Sequence, residues 1–513
     1  MCIYSVNIME KIKTIEELAE IVKNQKEIGQ KIVHCHGVFD LLHIGHIRYL
    51  EQASKMGDFL IVTLTPDKYV DKGPHRPAFT NSLRAEAIAS LSCVDYVSIN
   101  VWPTAEETIR LLQPDFYVKG SEFEKLGSDM TGKIVKEKEV AEEVGTKMAF
   151  VNDIVFSSTN LINSYFSKFP EEVQNYLKVF RSRYSIEDIA HVLDQMSDLK
   201  VLIIGDTIID EYVYCNAIGK SSKDPTLALK YQSSDKFAGG VLAVANHVAN
   251  FSKSVQLKTT IGDQDSHEHF IRSQIEPNVR LSLDIKKDSP TLIKKRYIDS
   301  YSLNKLIEIY VMDDSGLSID QDNEVCLWLE KNIKNYDIVI VSDFGHGTIS
   351  KNMRKILCDN ANFLAVNTQA NAGNRGFNTI SKYHRANYMC IAEHELRLDT
   401  RDLTTEIRPL MFKIMGDLNC NKLMVTTGKK GCAACENNLN FVQVPAFVHS
   451  VVDRVGAGDA FFSITSLAAY LKIPNELIAF IGNIIGSLSV EILGNKKSID
   501  KLTVKKYITS MMK

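Results

Sequence analysis

No apolar run in this chain approaches the ~18 consecutive residues that a membrane-spanning helix requires, so nothing in the sequence predicts an integral membrane protein. The first residues, Met1-Cys2-Ile3-Tyr4, lack the basic flank and apolar stretch of a signal peptide. A cytoplasmic protein is the expectation. An excess of either charge is also missing: Lys and Arg total 60 against 63 Asp and Glu, a net charge of −3. A balance of that kind predicts neither a nucleic acid nor an anionic membrane surface as partner. The ten cysteines are scattered, which fits reduced thiols rather than a disulfide framework. The CxxC run, Cys432 to Cys435, has no second Cys or His pair nearby to complete a tetrahedral zinc site. It follows Gly431 and precedes Glu436-Asn437-Asn438, which reads as a strand and hairpin with structural cysteines. Internal repeats and low-complexity tracts are absent as well.

What is present is a long, ordinary globular composition: 513 residues, 45% apolar and 24% charged. Single cores stop growing at about 250–300 residues, so more than one domain is expected. After a helical pattern at 15–26, apolar strands are predicted at 31–36, 59–64, 94–99 and 116–119, with helical patterns between them at 46–56 and 83–91. Strand alternating with helix implies a parallel sheet. This block ends near Phe166. Residues 167–197 read as a charged, amphipathic helical linker packing between two domains, after a break at Ser167-Lys-Phe-Pro170. A second β/α series opens at 200–204 and continues at 338–341, 363–366 and 423–426. The more polar stretch from Ala228 to Tyr310 predicts a small β-rich lid. The expected domains are therefore 1–166, 167–197 and 198–513.

Two glycine-bearing turns carry the chemistry. Gly37-Val-Phe39-Asp40-Leu-Leu-His43-Ile-Gly45-His46 runs from a strand into a helix. A helix N-terminus offers unpaired N–H groups and partial positive charge, which suits phosphate. Gly45 lets backbone approach closely, and the flanking histidines can donate hydrogen bonds to a phosphate in flight. Nucleotidyl transfer needs this positioning and charge stabilisation rather than covalent help. The stretch resembles the G-x-F-D-x-x-H-x-G-H pattern of the nucleotidyltransferase superfamily. Further matches follow in order: the basic loop 70–77 with Lys72, the helix-borne Arg84, the P-D-x-x-V-K-G element ending Lys119-Gly120, and the hydroxyl-rich turn Ser157-Ser158-Thr159. The resemblance implies a Rossmann-like domain in which His43, His46 and Lys72 are catalytic. Gly37, Phe39, Asp40, Gly45, Arg84, Lys119, Gly120 and Ser157 to Thr159 would hold nucleotide. More narrowly, residues 30–165 resemble the heptose-1-phosphate adenylyltransferase domains of bacterial heptose enzymes. Related folds serve glycerol-phosphate and ethanolamine-phosphate cytidylyltransferases, so ATP and CTP both stay open.

The second turn is Asp453-Arg-Val-Gly456-Ala457-Gly458-Asp459. Its glycines free backbone N–H groups for an anion hole, and Asp459 stands where a base can take a hydroxyl proton during phosphoryl transfer. The stretch resembles the D-T-x-G-A-G-D signature of ribokinase-type (PfkB) sugar kinases. The resemblance covers about 198–513 and implies a ribokinase-like α/β domain with a β lid. It places sugar contacts at Asp206, Asp210, the hinge Gly239-Gly240 and Arg296, and nucleotide contacts at Thr427, Gly428, Gly431 and the Gly456-Ala457-Gly458 amides. Glu395 would organise Mg2+ through water. Ser342-Asp343-Phe344-Gly345-His346-Gly347 and Pro290-Thr291-x-x-Lys294-x-Arg296 resemble runs of heptose-7-phosphate kinases. Val455, Ala243, Asn367 and Ala392 depart from the usual Thr, Asn, Asp and Asn. The amide-rich run 367–376 either rebuilds the sugar pocket or is a polar loop held by its own turns.

Together the resemblances imply the two halves of a bifunctional heptose enzyme in swapped order. That predicts Mg-ATP-dependent phosphorylation of a sugar or sugar phosphate, then AMP or CMP transfer to the sugar 1-phosphate. The kinase resemblance also implies a homodimer built through the lids. The alternative is a cytidylyltransferase for a polyol phosphate such as glycerol phosphate, with a kinase-like sensor or dimerisation domain.

Overall fold

A computed structural model describes residues 8–70, 76–121, 133–151, 169–437, 440–448 and 450–512. Lys72, Ser157, Ser158 and Thr159 lie outside the described residues. The chain divides into one unit of residues 1–168 with 505–513, and a second of residues 169–504.

The first unit is built on a six-stranded sheet. Its strands lie in the order Ile12–Lys13, Tyr96–Ile99, Phe59–Leu64, Ile32–Gly37, Phe116–Gly120, Lys147–Val151, and every pairing is parallel. Continuous burial of Leu60 to Leu64 and Ile32 to His36 is what a parallel sheet covered on both faces demands. The strand order reverses beside Ile32–Gly37, which pairs with both Phe59–Leu64 and Phe116–Gly120. Ligands in open α/β sheets bind at the carboxyl ends of strands at such a switch. The helix Ile44–Ser54, with its histidine turn, starts there.

The second unit has a parallel core: Val279–Pro290, Ser254–Gln264, Lys200–Lys220, Ile338–Asp343, Leu364–Thr368, Ala386–Ala392 and Cys420–Thr426. Antiparallel strands Cys432–Glu436 and Asn440–Val444 complete that edge. Lys200–Lys220 is one strand of 21 residues. Its first part sits in the core sheet, and its second leaves to pair with Leu227–Gly240 and Ile293–Asp299 in the lid. Lys305–Val311 extends the lid antiparallel to Ile293–Asp299. The lid is therefore narrower than the expected 228–310 stretch, because Ser254–Gln264 and Val279–Pro290 join the core sheet. Cys432 and Cys435 are both buried, three apart on a strand, so they point to opposite faces and cannot chelate one ion.

Within 167–197 the helices Glu171–Arg181 and Ile186–Gln195 pack on this second unit. Phe180 stacks on Phe480 with ring centroids 4.0 Å apart, and Arg183 pairs with Glu476 at 3.0 Å. Val173, Leu177 and Phe180 of the first helix and Ile189, Val192 and Leu193 of the second are buried.

Candidate functional site

In the first unit, His43 is the N-cap of Ile44–Ser54, and its Nδ1 accepts from the Gly45 N–H at 3.1 Å. That acceptor role places the ring proton on Nε2 of a neutral imidazole. His43 Nε2 is buried and has no partner among the described residues. Burial lowers the His43 pKa and keeps the ring neutral. The His43 and His46 rings stack with centroids 3.9 Å apart, and Phe39 meets His46 edge-on at 5.3 Å. Phe39, His43 and His46 thus come together at the end of the central strand, whereas Lys72, expected with the two histidines, lies outside the described residues. A buried N–H with no acceptor suits an anionic oxygen.

Other expected nucleotide contacts are engaged elsewhere. Arg84 is 1% exposed. Its Nε donates to the Phe79 carbonyl at 3.1 Å, and Nη2 to the Thr65 carbonyl at 2.9 Å and Asp67 at 2.5 Å. Nη1 donates to the Val38 carbonyl. Arg84 therefore braces three loop carbonyls instead of presenting a free fork to phosphate. Asp40 accepts from Arg76 at 2.8 Å and from the Ala78 N–H at 2.5 Å, latching the end of the basic loop and the residue after it. Lys119 pairs with Glu137 at 3.0 Å, which also accepts from the Tyr117 hydroxyl at 3.0 Å. Gly37 is narrow because a Cβ there would lie 3.0 Å from the Phe39 ring. Gly120 ends the neighbouring strand.

In the second unit, Gly456 has φ +83° and precedes the helix Ala457–Tyr470. A Cβ at Gly456 would lie 2.0 Å from Asn495 Oδ1, so both conformation and space require glycine. Asp453 anchors the turn: it accepts from the Arg454 N–H at 2.7 Å, the Gly494 N–H at 3.1 Å, the Tyr212 hydroxyl at 2.5 Å and Lys305 Nζ at 2.7 Å. Lys305 comes from the lid strand, so the lid grips the residue that fixes the glycine turn.

That turn borders a cavity of about 290 Å³, lined by residues including Asp210, Gly240, Lys294, Arg296, Asn367, Gln369, Glu395, Arg454, Gly456, Gly458 and Asp459. Burial pushes the Asp459 carboxyl up to about 7, helped by the negative charges of Asp210 and Glu395. Burial likewise pushes Glu395 up to about 7. A carboxyl poised near neutrality is the property a general base needs. Asp210 is paired with Arg296, whose Nε also reaches Glu308 at 2.8 Å. Gly239 must be glycine because a Cβ there would lie 2.2 Å from Asp210 Oδ2.

Asp206 does not line this cavity. Its oxygens accept from the N–H groups of Phe344 at 2.8 Å and Thr348 at 3.2 Å, so it shapes the 344–348 loop rather than holding a sugar hydroxyl. Thr427, Gly428 and Gly431 form a tight turn closed by Thr427 N–H to Gly431 O at 2.8 Å, and Thr426, just before it, is the lining residue. Of the departures, Ala243 is buried in the helix Val241–Ala249, off the lining. In the run 367–376, Asn371 Oδ1 accepts from the Gly373 and Asn374 N–H groups at 2.9 and 3.2 Å, so this part holds itself, and Asn371 and Asn374 both donate to the Phe344 carbonyl at 2.9 and 2.7 Å. Asn367 and Gln369 instead line the cavity. Among the lining groups not singled out from the sequence as site residues are Gln369, Lys294, His394, Thr426 and Arg454. Gln369 stood at the carboxyl end of a strand, where α/β ligands bind, and that was the available signal.

The oxygen donors here fit magnesium. Asn367 Oδ1 is buried with no partner among the described residues, and the Glu395 carboxylate is close to the same cavity. No cluster of three or more His, Cys, Asp or Glu among the described residues could enclose a metal. Mg2+ keeps several waters and binds through few protein oxygens plus phosphate, which such a site allows.

Comparison with known proteins agrees with this division. A cytidylyltransferase-like family model matches residues 34–164, and a pfkB family carbohydrate kinase model matches residues 198–501. The bifunctional protein HldE of Geotalea uraniireducens is 40% identical over 154 residues, covering 30% of this chain and 30% of that protein. That of Sulfurimonas denitrificans is 42% identical over 135 residues, covering 26% and 27%. These matches fall in the N-terminal half, and the chain spans about a third or less of the length of the curated relatives it matches. A phosphofructokinase-2 mutant from Escherichia coli aligns over 61% of this chain and 100% of its own, with a TM-score of 0.50 and 15% identity, which shows the fold of the second unit. With its family model spanning most of the second unit behind a cytidylyltransferase-like domain, the chain belongs to the pfkB family of carbohydrate kinases.

Proposed function

We propose that this protein is a bifunctional enzyme of nucleotide-activated sugar synthesis. The second unit phosphorylates a sugar or sugar phosphate of the heptose-7-phosphate kind with ATP. The first transfers AMP or CMP to the resulting sugar 1-phosphate and releases pyrophosphate. The observation that carries this reading is the cavity in which Asp459, at about 7, lies beside the Gly456–Gly458 turn and between Asp210 and Glu395.

In the kinase step, the acceptor hydroxyl oxygen forms a bond to the γ-phosphorus, the bond to the bridging oxygen of ADP breaks, and Asp459 takes the hydroxyl proton. The glycine-turn amides would hold the transferred phosphoryl oxygens. Asp210, fixed by Arg296, would orient the sugar. Bound Mg2+, held through water by Glu395 and Asn367, would supply charge neutralisation on the phosphates. In the transfer step, a sugar-phosphate oxygen attacks the α-phosphorus and pyrophosphate leaves. The His43 Nε2–H and His46 would stabilise the growing charge.

Both steps take small molecules, and nothing in the charge balance calls for nucleic acid. No helix among the described residues is long and apolar enough to cross a membrane. The lid exposes Leu306, Ile307 and Ile309 on one strand, which supports a homodimer through that face. The deciding experiment offers the full chain a panel of sugar and polyol phosphates with both ATP and CTP and weighs the nucleotide product. A nucleotide diphosphate sugar confirms the reading and fixes the nucleotide. Pyrophosphate release with glycerol phosphate, and no kinase turnover, replaces it with the polyol cytidylyltransferase.

A further inference from the structure

Asp459 has a hydrogen-bond partner outside both its own helix and the glycine turn. Gln369 Nε2 donates to Asp459 Oδ1 at 2.5 Å across 90 residues of sequence. Among the described residues no group donates to Oδ2. Gln369 stands just past the strand Leu364–Thr368, and its backbone is pinned on both sides. Its N–H donates to the Asp343 carbonyl at 3.0 Å, and its carbonyl accepts from Asn378 Nδ2 at 3.1 Å. The next N–H, that of Ala370, goes to Glu395 Oε1 at 2.8 Å. One two-residue segment therefore holds both acids of the cavity.

We propose that Gln369 is a positioning residue for phosphoryl transfer, whose amide fixes the Asp459 carboxylate by occupying Oδ1 and leaves Oδ2 to take the acceptor's proton. This rests on the kinase reading above. An unheld carboxylate turns about its terminal torsion, and a lost orientation costs rate. An amide suits the task because it donates to the ionised carboxylate without a charge that would cancel the base. The charged groups facing Asp459 are Asp210 from the long strand Lys200–Lys220, Lys294 from the strand Ile293–Asp299, and Glu395 from the helix Glu393–Thr400. Arg296 and Arg454 line the same cavity. The two acids oppose ionisation of Asp459, while Lys294 and the Gln369 hydrogen bond favour it.

The test compares wild type, Gln369→Leu and Gln369→Lys in the full chain, by the pH dependence of kcat/KM for the sugar acceptor. Gln369→Leu should move the acid limb up by about one pH unit, which alone lowers the rate at pH 7 about fivefold, and the lost orientation should lower the alkaline plateau as well. Gln369→Lys, which restores a donor, should return the limb to the wild-type position or below. A uniform loss at every pH with an unmoved limb would overturn the proposal and leave Gln369 a loop support. A second reading needs no turnover: 13C NMR titration of labelled Asp carboxyls, with the signal assigned by its loss in Asp459→Asn. That carboxyl should titrate higher in Gln369→Leu, and an unchanged titration also overturns the contact. If wild type transfers no phosphoryl group to any sugar, the kinase reading falls, while this titration still decides the Gln369–Asp459 coupling.

Discussion

Arg84 and Asp459 are both buried ionisable side chains in the opening turns of helices, yet their surroundings treat them in opposite ways. Every nitrogen of the Arg84 guanidinium has a protein acceptor, three of them loop carbonyls. Asp459 has one neutral donor, two like charges nearby and open cavity beside it. The same contrast runs through both units. Asp40, Lys119 and Arg84 in the first are paired and structural, whereas Asp459 and Glu395 in the second are held close to neutral pH by burial. A nucleotidyl-transfer site works by rigid placement of donors, and braced loops give that. A kinase site needs a base whose proton affinity is tuned, and incomplete pairing gives that.

The largest effects should separate the two sites outright. Asp459→Asn is expected to lower ADP formation by about 10²–10⁴-fold, as loss of a general base does, while pyrophosphate release from a supplied sugar 1-phosphate continues. His43→Ala and His46→Ala should do the reverse. A parallel loss of both activities in one variant would break the comparison.

Next in size is Arg84. Removing it leaves carbonyls and Asp67 without their partner, so Arg84→Met should cost the first unit about 3 kcal/mol or more in a denaturant melt. Arg84→Lys should rescue little, because an ammonium cannot reproduce the planar fork. An unchanged melt with a raised KM for the nucleoside triphosphate would return Arg84 to the phosphate-binding role that the motif suggests.

A smaller effect is the pH dependence of stability. Asp459 has its carboxyl raised from 3.8 to about 7 in the folded chain. Between those values the folded state binds more protons than the unfolded one, so this group's contribution favours folding at low pH and is lost as pH rises toward 7. The difference in melting temperature, wild type minus Asp459→Asn, should therefore fall from pH 5 to pH 8. Subtracting the variant matters because His247 and His346, both lowered to about 4 by burial, act in the opposite sense. A flat difference would show that Asp459 is already ionised at pH 5.

The smallest expected effect is at the lid. Lys305→Met removes the pair with Asp453 at 2.7 Å, but Lys305 is 39% exposed and four further donors hold Asp453. A stability change of less than about 1 kcal/mol is expected, with a few-fold drop in kinase kcat. A loss as large as that of Asp459→Asn would mean the lid, not the turn, sets the anion hole.

How much of this the sequence held depends on the range of the interaction concerned. The strand–helix alternation, both glycine turns, His43 against His46, and Asp459 at a helix start were legible because neighbours along the chain fix them. The single strand Lys200–Lys220 serving two sheets was not, since its second half differs from its first only in what pairs with it. Asp206 and Asp210 looked alike, four residues apart on one strand. One is turned to the N–H groups of the 344–348 loop and the other to the cavity with Arg296.

By itself, then, the sequence determined that this protein has two α/β domains built on parallel strands, each with a glycine-bearing turn at a helix start. Local backbone chemistry is enough for that: glycines, caps and apolar periodicity act within a few residues. Only the tertiary structure decided which charges remain available for reaction. Arg84 was committed to carbonyls, Asp206 to a loop, and Gln369 was brought across the fold to Asp459. Burial and pairing are set by groups far apart in the chain, and these two quantities fix whether a charged side chain braces the fold or takes part in chemistry.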